Sequence, residues 1–455
     1  MIFTLYTFNM HTSLKKLQNK KIAILGLGIE NQALLKYLLK NKIETDFTIC
    51  DQRSREELVE KMPELIKYKN IQWRLRADFN QRLHEFDILF RAPGWPLNCP
   101  EIREAKKKNS GIIISSPMKL FFELCPSKNI IGVTGTKGKG TTSSLIAQIL
   151  KTAKKKVWLG GNIGVAPFAF LEQVKKIDWV VLELSSFQLE DLHLSPHIAV
   201  VTNFTPEHLA PADPHNPNYH KSLRAYREAK ENIFKWQGGR DYFVVNSKTQ
   251  DARYKIAERS LGKRIYFSKS ELKSKLVGEH NRENIAAAEV VAKIVGIKKE
   301  VVARAVKIFR GLEHRTEFVR EIGDVQYYDD SFATTPDSAI IALKSFQAPI
   351  ILLAGGADKG ANFQILAKEI KKRVKFVILF TGKGTEKIKA ALKKAQYSPN
   401  KILTVSSMPE AISYANQASV AGDIILLSPG CASFGVFKNY KERGSLFKKE
   451  VRAIK

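Results

Sequence analysis

The stretch "GVTGTKGKGTTSSLIAQIL", Gly132 to Leu150, decides how this chain is read. The apolar residues Ile130 and Ile131 lead into it as a strand, and an amphipathic helical pattern leaves it. Strand, glycine loop and helix together suit a phosphate. Glycines let successive backbone N–H groups turn inward around an anion, and the helix start adds partial positive charge. The P-loop pattern G-x-x-x-x-G-K-[ST] is matched only in part. Val133 stands where its first glycine belongs, and Gly140 follows Lys139 where a Ser or Thr belongs. The hydroxyls come later, at Thr141 and Thr142. A surface turn rich in Gly and Lys remains open on these residues alone, but the flanking strand and helix favour a nucleotide loop. In that reading Gly135–Gly140 surround phosphate, Lys139 reaches the outer phosphates, and Thr141 or Thr142 offers a hydroxyl to Mg²⁺.

Similar units lie to either side. "KKIAILGLGIENQALLKYLLKNKIETDFTICD" reads strand, glycine turn, helix, strand, with the turn at Gly26-Leu27-Gly28 and Asp51 closing the second strand. "FDILFRAPG" ends a strand in a turn at Pro93-Gly94. "IDWVVLELSSFQLEDL" and "HIAVVTNFTPEHL" end strands at Glu183 and before His208. "PIILLAGGADKGANF", "VKFVILFTGKG" and "DIILLSPGCASFGVF" continue the style toward the C-terminus. Alternating strands and helices argue for parallel sheets. A chain of 455 residues suits about three domains. The expected fold is α/β in three parts: residues 1–117 Rossmann-like, 118–311 a P-loop ATPase-like domain with a parallel sheet, and 312–455 Rossmann-like again. Ligands belong where glycine-rich strand ends face one another.

Bulk composition narrows the function. The formal net charge is +29, and the clusters "KKLQNKK" and "AKKKN" lack interleaved aromatics, so a lysine-rich surface is favoured over nucleic-acid binding. The four cysteines form no C-x-x-C pair, which excludes the common thiolate metal motifs and suits reduced thiols. No apolar run of about 18 residues is present, so no membrane span is expected. The N-terminus reads as a ragged leader, not a signal peptide. Glu183, at a strand end beside the loop, suits Mg²⁺, since hard cations take oxygen ligands.

The motifs identify a resemblance. "TGTKGKGT" (Thr134–Thr141), "GGNIG" (Gly160–Gly164), "ELSSFQLE" (Glu183–Glu190), "HNRENIAAA" (His280–Ala288), "GLEHRTE" (Gly311–Glu317), "DDSFATTP" (Asp329–Pro336), "GGADKGANF" (Gly355–Phe363) and "LLSPGCASFGVFKNYKERG" (Leu426–Gly444) occur in this order. The chain resembles the Mur ligases, ATP-dependent amide ligases of peptidoglycan synthesis, over nearly its whole length. It looks most like the branch that adds D-glutamate. Members adding another amino acid are the nearest alternative. A nicotinamide-dependent oxidoreductase, from Gly26, Gly28 and Asp51, and a nucleic-acid-binding ATPase, from the charge, are alternatives of other classes.

The resemblance implies roles residue by residue. ATP is held by Gly135, Thr136, Lys137, Gly138, Lys139, Gly140 and Thr141, with Asn281, Arg315 and Asp330. UDP-N-acetylmuramoyl-L-alanine is held by Gly26, Gly28, Asp51, Gly94, Asn162 and Gln188. D-glutamate is held by Thr334, Lys359, Ser433 and Tyr440. Lys139, His208 and Lys230 serve catalysis, and Thr141, Glu183, His208 and Lys230 hold Mg²⁺, two ions being implied. Lys230, in "YREAKENIF", matches the family's carbamylated lysine. A cytoplasmic monomer without nucleic-acid partner is implied. Three departures stand out: Gly140 after the loop lysine, Phe332 where many members carry a lysine, and the longer "LAPADPHNPNYH" after His208, within which Asp213 is a candidate for a missing acid.

Overall fold

A computed structural model describes residues 14–209, 218–250, 260–358 and 360–454. Lys359 and Asp213 lie outside the described residues. The chain divides into two compact units, Met1–Ser270 with Glu283–Val302, and Glu271–Arg282 with Ala303–Lys455. The helix Glu279–Ile294 spans that division in sequence.

The first unit contains two sheets. In the first, β1 (Lys21–Leu25), β2 (Asp46–Asp51), β3 (Ile71–Leu75), β4 (Ile88–Arg91) and β5 (Ile113–Ser115) lie in the order β3-β2-β1-β4-β5. All its pairings are parallel. The order reverses between β1 and β4, the place where open α/β sheets form a crevice at the strands' carboxyl ends. The Gly26 turn and the turn after Arg91 both project there. Asn31 explains why this glycine turn dispenses with a third glycine. Its buried Nδ2 donates to Leu25 O, Gly26 O and Phe90 O at 3.2, 2.8 and 3.2 Å, tying the turn to both central strands.

The second sheet is also parallel throughout, with β6 (Ile130–Thr134), β7 (Val157–Gly161), β8 (Trp179–Glu183), β9 (Ile198–Val201), β10 (Tyr242–Asn246) and β11 (Lys263–Phe267) in the order β11-β10-β9-β6-β8-β7. The helix Lys139–Thr152 follows β6 and buries Leu145, Ile146, Ile149 and Leu150, one stripe of a 3.6-residue period. Truncating one of these leucines to alanine would cost about 2–5 kcal/mol. The helix Leu223–Lys235 is capped by Ser222, whose side chain accepts from Ala225 N. Its buried stripe runs Tyr226, Ala229, Lys230, Ile233 and Phe234, so one lysine takes an apolar position.

In the second unit an antiparallel pair, β12 (Glu317–Ile322) and β13 (Val325–Asp329), extends a parallel set. β14 (Ile350–Gly355), β15 (Val374–Phe380), β16 (Ile402–Val405) and β17 (Ile424–Leu427) complete the order β12-β13-β17-β14-β15-β16. The fold is thus α/β with parallel sheets, as the strand–turn–helix alternation implied.

The closing "KERG" has a packing reason. A Cβ at Gly444 would collide with the His314 ring and the Asp329 carboxylate, which hydrogen-bond each other at 2.7 Å. The buried Arg443 donates to Ser331 Oγ at 3.0 Å and Ser331 O at 2.9 Å. Burial brings its pKa down to about 10.

Candidate active site

The loop after β6 is pinned to the ends of its neighbours. Thr136 N donates to Asn203 O at 3.0 Å, and Lys137 N to Asn203 Oδ1 at 2.8 Å. Asn203 Nδ2 and Thr202 Oγ1 both donate to Lys137 O, at 2.8 and 2.6 Å. The side chain of Thr136 accepts from Thr205 N at 2.9 Å and lies 3.0 Å from the Tyr226 hydroxyl. Two of the glycines are obligatory. Gly135 and Gly138 have φ of +143° and +82°. A Cβ on the first would strike Thr202 Oγ1, and on the second the Asn284 side chain.

Gly138 is the N-cap of the helix, which begins at Lys139. Thr142 is buried, with its hydroxyl 3.3 Å from Asn284 Oδ1, whereas Thr141 is only half-buried. Of the two hydroxyls after Lys139, Thr141 is therefore the better placed for an ion. Lys139 Nζ donates to Thr136 O at 2.9 Å, and Lys137 forms an ion pair with Glu207.

Lys230 is 5% exposed, and its amine donates to Gly135 O at 2.8 Å. Nζ also lies 4.8 Å from the centre of the Tyr226 ring. Burial foremost, then the charge of Lys139, pushes its pKa well below the ordinary lysine value, against Glu207 and Glu183. A buried amine, its pKa held well below the ordinary lysine value, thus lies beneath the phosphate-type loop. Glu183, at the end of β8, is buried and accepts from Asn162 Nδ2 at 2.8 Å. Asn162 N donates to Glu183 O at 2.9 Å. Gly161 is required by this approach, since a Cβ there would collide with Glu183 O.

His208 has φ +55° and lies against the Phe187 ring, centroids 5.2 Å apart. Burial lowers its pKa; Glu207 opposes this, while Lys230, Lys139 and Lys137 add to it. Phe187 also stacks on the buried His220 at 4.8 Å and 7°. His220 is brought down to about 4 by burial and then by Lys230, so it is neutral and 2.9 Å from Ser186 Oγ. Lys139, Glu183, His208 and Lys230 thus share one electrostatic neighbourhood.

At the β1–β4 crevice a cavity of about 340 Å³ is lined by Gly26, Asp51, Ala92, Gly94, Trp95 and Glu101, among others. Both Asp51 oxygens are engaged. They accept from Leu27 N at 2.7 Å and from Arg53 Nε and Nη2 at 2.9 and 2.8 Å. Burial raises its pKa, but these hydrogen bonds outweigh burial and hold it below the usual carboxylate value. Gln188 is buried and doubly committed. Its Oε1 accepts from Ser185 N at 2.8 Å in a capping box, and its Nε2 donates to Glu30 Oε1 at 2.5 Å.

In the second unit Asp330 is buried, accepting from Thr316 N and Ser428 Oγ at 3.0 and 2.7 Å. Burial drives its pKa up to about 7. The Arg315 guanidinium lies 3.8 Å over the Phe332 ring, which meets Tyr440 edge-on at 5.1 Å. Ser433 is buried. Asn281 belongs to this unit and donates to Val277 O at 2.7 Å.

Sequence reasoning missed Asn203, Asn284 and Arg91. Asn284 carried a signal, standing three residues after Asn281 in "HNRENIAAA". Arg91 carried none, because its partners Asp191 and Phe187 O are about a hundred residues away in sequence.

Comparison with known proteins fits this geometry. Residues 20–114 match the Mur ligase MurD-like N-terminal domain, 133–272 the Mur ligase middle domain, and 314–431 the Mur ligase glutamate ligase domain. The UDP-N-acetylmuramoylalanine–D-glutamate ligase of Acetivibrio thermocellus is 38% identical, covering 97% of this chain and 98% of that protein. The ligase of the same name from Clostridium kluyveri is 39% identical, covering 95% and 96%. The crystal structure of MurF ligase from Thermotoga maritima in complex with ADP shares the fold, with a TM-score of 0.54 at 16% identity over 96% of each chain. The chain belongs to the Mur ligase family, as an ATP-dependent ligase of its MurD-like branch.

Proposed function

We propose that this protein joins D-glutamate to the carboxyl group of UDP-N-acetylmuramoyl-L-alanine, with ATP cleaved to ADP and phosphate through an acyl phosphate. The observation that carries the reading is the buried amine of Lys230, 2.8 Å from Gly135 O beneath a glycine loop that also presents Lys139, in a chain 38% identical to a ligase of that name. A carboxylate is a poor acyl donor because oxide would have to leave. Accepting the γ-phosphoryl group gives it phosphate as leaving group. The glutamate amine then attacks the acyl carbon, loses a proton, and the tetrahedral intermediate collapses to amide and phosphate. Such chemistry asks the protein mainly for positioning and charge neutralisation.

The chain's residues divide that task. Backbone N–H groups of the Gly135–Gly140 loop and the Lys139 ammonium hold the phosphates. The carboxylate of Glu183, the hydroxyl of Thr141 and the imidazole of His208 suit Mg²⁺ in donor type. Lys230 joins that set as a carbamate: its neutral amine adds to the carbon of CO₂, and an N–H proton leaves to solvent. Two magnesium ions so held would offset the charge on the phosphate oxygens. Asn162, oriented by Glu183, and His208 face the acyl substrate, whose UDP part occupies the cavity lined by Gly26, Asp51 and Gly94, with Gly28 serving it from the same turn as Gly26. Gln188 contributes by holding Glu30. Asn281, Arg315 and Asp330 serve the nucleotide, and Thr334, Lys359, Ser433 and Tyr440 serve D-glutamate. Residues 1–117, 118–311 and 312–455 act as UDP-substrate, ATP and amino-acid domains of a cytoplasmic monomer.

Isotope transfer tests the proposal. With both carboxylate oxygens of the UDP-substrate labelled as ¹⁸O, one label should appear in the released phosphate. Unlabelled phosphate alongside amide product would exclude the acyl phosphate.

A further inference from the structure

The turn that walls the β1–β4 crevice is held from outside its own sheet. Between Arg91 and Pro96 the chain folds back, with Trp95 N donating to Ala92 O at 2.9 Å. Ala92, Gly94, Trp95 and Pro96 line the 340 Å³ cavity, and Ala92 and Trp95 pack against Gly26 opposite. Two donors grip this turn from behind. Arg91 Nη1 donates to Trp95 O at 3.0 Å. Its guanidinium is itself fixed by Asp191, at 3.2 Å from both carboxylate oxygens, and by Phe187 O at 2.8 Å. The second donor is Asn218, whose Nδ2 lies 2.6 Å from Pro93 O across 125 residues of sequence. Asn218 is 4% exposed.

Asn218 stands in the stretch that departs from the family pattern after His208. On either side of it the described residues meet: His220 N donates to His208 O at 2.8 Å, and Leu209 pairs with His220 in a parallel bridge. His220 is then wedged between Phe187 and Tyr226. Asn218 stands two residues before this packed ring, with its amide turned to the Pro93 carbonyl. The chemistry of that contact is one-directional. An amide nitrogen donates to a carbonyl, whereas an aspartate in its place would set a carboxylate oxygen against a carbonyl oxygen.

We propose that Asn218 is a positioning residue for substrate binding: it latches the Pro93-Gly94 turn to the chain beside His220 and so sets the shape of the cavity that receives the UDP moiety. The second half rests on the reading of that cavity given above. The latch thus ties the turn that lines this cavity to the part of the chain that carries His208.

Asn218→Asp and Asn218→Ala test it in the full-length enzyme, with two readouts. Amide hydrogen exchange of residues 92–96 reports the latch whatever the cavity binds, and KM for each substrate reports its use. The expected result is faster exchange at Gly94 and Trp95, greater in Asn218→Asp. KM for UDP-N-acetylmuramoyl-L-alanine should rise about three- to tenfold, the range of one lost hydrogen bond, with kcat and the KM for ATP and D-glutamate unchanged. Unchanged exchange in a folded variant overturns the latch. Faster exchange with an unchanged KM for the UDP-substrate supports the latch and overturns the cavity reading. Should Asn218→Asp fail to fold, Asn218→Ala, which adds no charge, carries both comparisons.

Discussion

Lys230 Nζ lies 2.8 Å from the carbonyl oxygen of Gly135, so a buried amine is tied directly to the backbone of the phosphate-type loop. Two consequences of opposite sign follow. The amine is needed chemically and is costly for stability. Its folded pKa is depressed, so between that value and the ordinary lysine value the unfolded chain binds a proton that the folded chain does not. Folding stability therefore rises with pH across that window. Lys230→Met should lower activity at least about a hundredfold, the scale of one lost electrostatic partner. It should also leave the melting temperature at neutral pH unchanged or higher, and flatten the rise with pH below the ordinary lysine value. A large drop in melting temperature would contradict the burial argument.

Lys139→Ala should reduce ATP turnover about 10²- to 10³-fold, since it removes the loop's charge facing the transferring phosphoryl group. Steady-state phosphate release together with circular dichroism checks this. Near-normal release in a folded variant would remove the loop from the mechanism.

Gly138→Ala places a methyl group against the Asn284 side chain at φ +82°. A loss of about 1–3 kcal/mol in denaturant unfolding is expected. Asn284→Ala on the same background should recover the steric part of that loss, which a double-mutant cycle measures. Strict additivity would show that the two residues are not in contact.

Glu30 titrates unusually. Burial raises its pKa to about 7, against the hydrogen bond from Gln188 and the charge of Arg91, and its Oε2 is buried without a partner among the described residues. For an acid raised in this way, stability is fully present below the unfolded value of 4.5 and is lost as pH rises through 7. Glu30→Gln should remove up to about 3 kcal/mol of that loss, at about 1.4 kcal/mol per pKa unit. Parallel stability profiles of wild type and variant between pH 4.5 and 7.5 would refute it.

The parts of this molecule written in local sequence were the legible ones. Glycine turns after apolar runs marked β1, β6 and β14 because the turn, the strand and the following helix are adjacent in sequence. The departure at Gly140 could be seen but not resolved. That Thr142 faces Asn284 depends on a residue 142 positions later in the chain. Lys230 read as a surface lysine on its own merits, because a lone cation at a stripe position looks like an amphipathic helix's edge. Its burial is set by β6 and the loop after it, where Thr134 and Gly135 meet its amine, and the helix's sequence contains neither. Arg91 and Asn218 were invisible for the same reason. Asn31, where a dinucleotide turn would have its third glycine, does by hydrogen bonding what that glycine does by close packing.

The measurement that bears most directly on the central claim is coupled counting of ADP and amide product. The enzyme is supplied with ATP, Mg²⁺, UDP-N-acetylmuramoyl-L-alanine and D-glutamate, and then with each omitted in turn. One ADP per amide formed is expected, with turnover collapsing when either the UDP-substrate or D-glutamate is left out. Sustained ATP hydrolysis without them, product formed with L-alanine or diaminopimelate in place of D-glutamate, or stimulation by DNA or RNA would contradict the account.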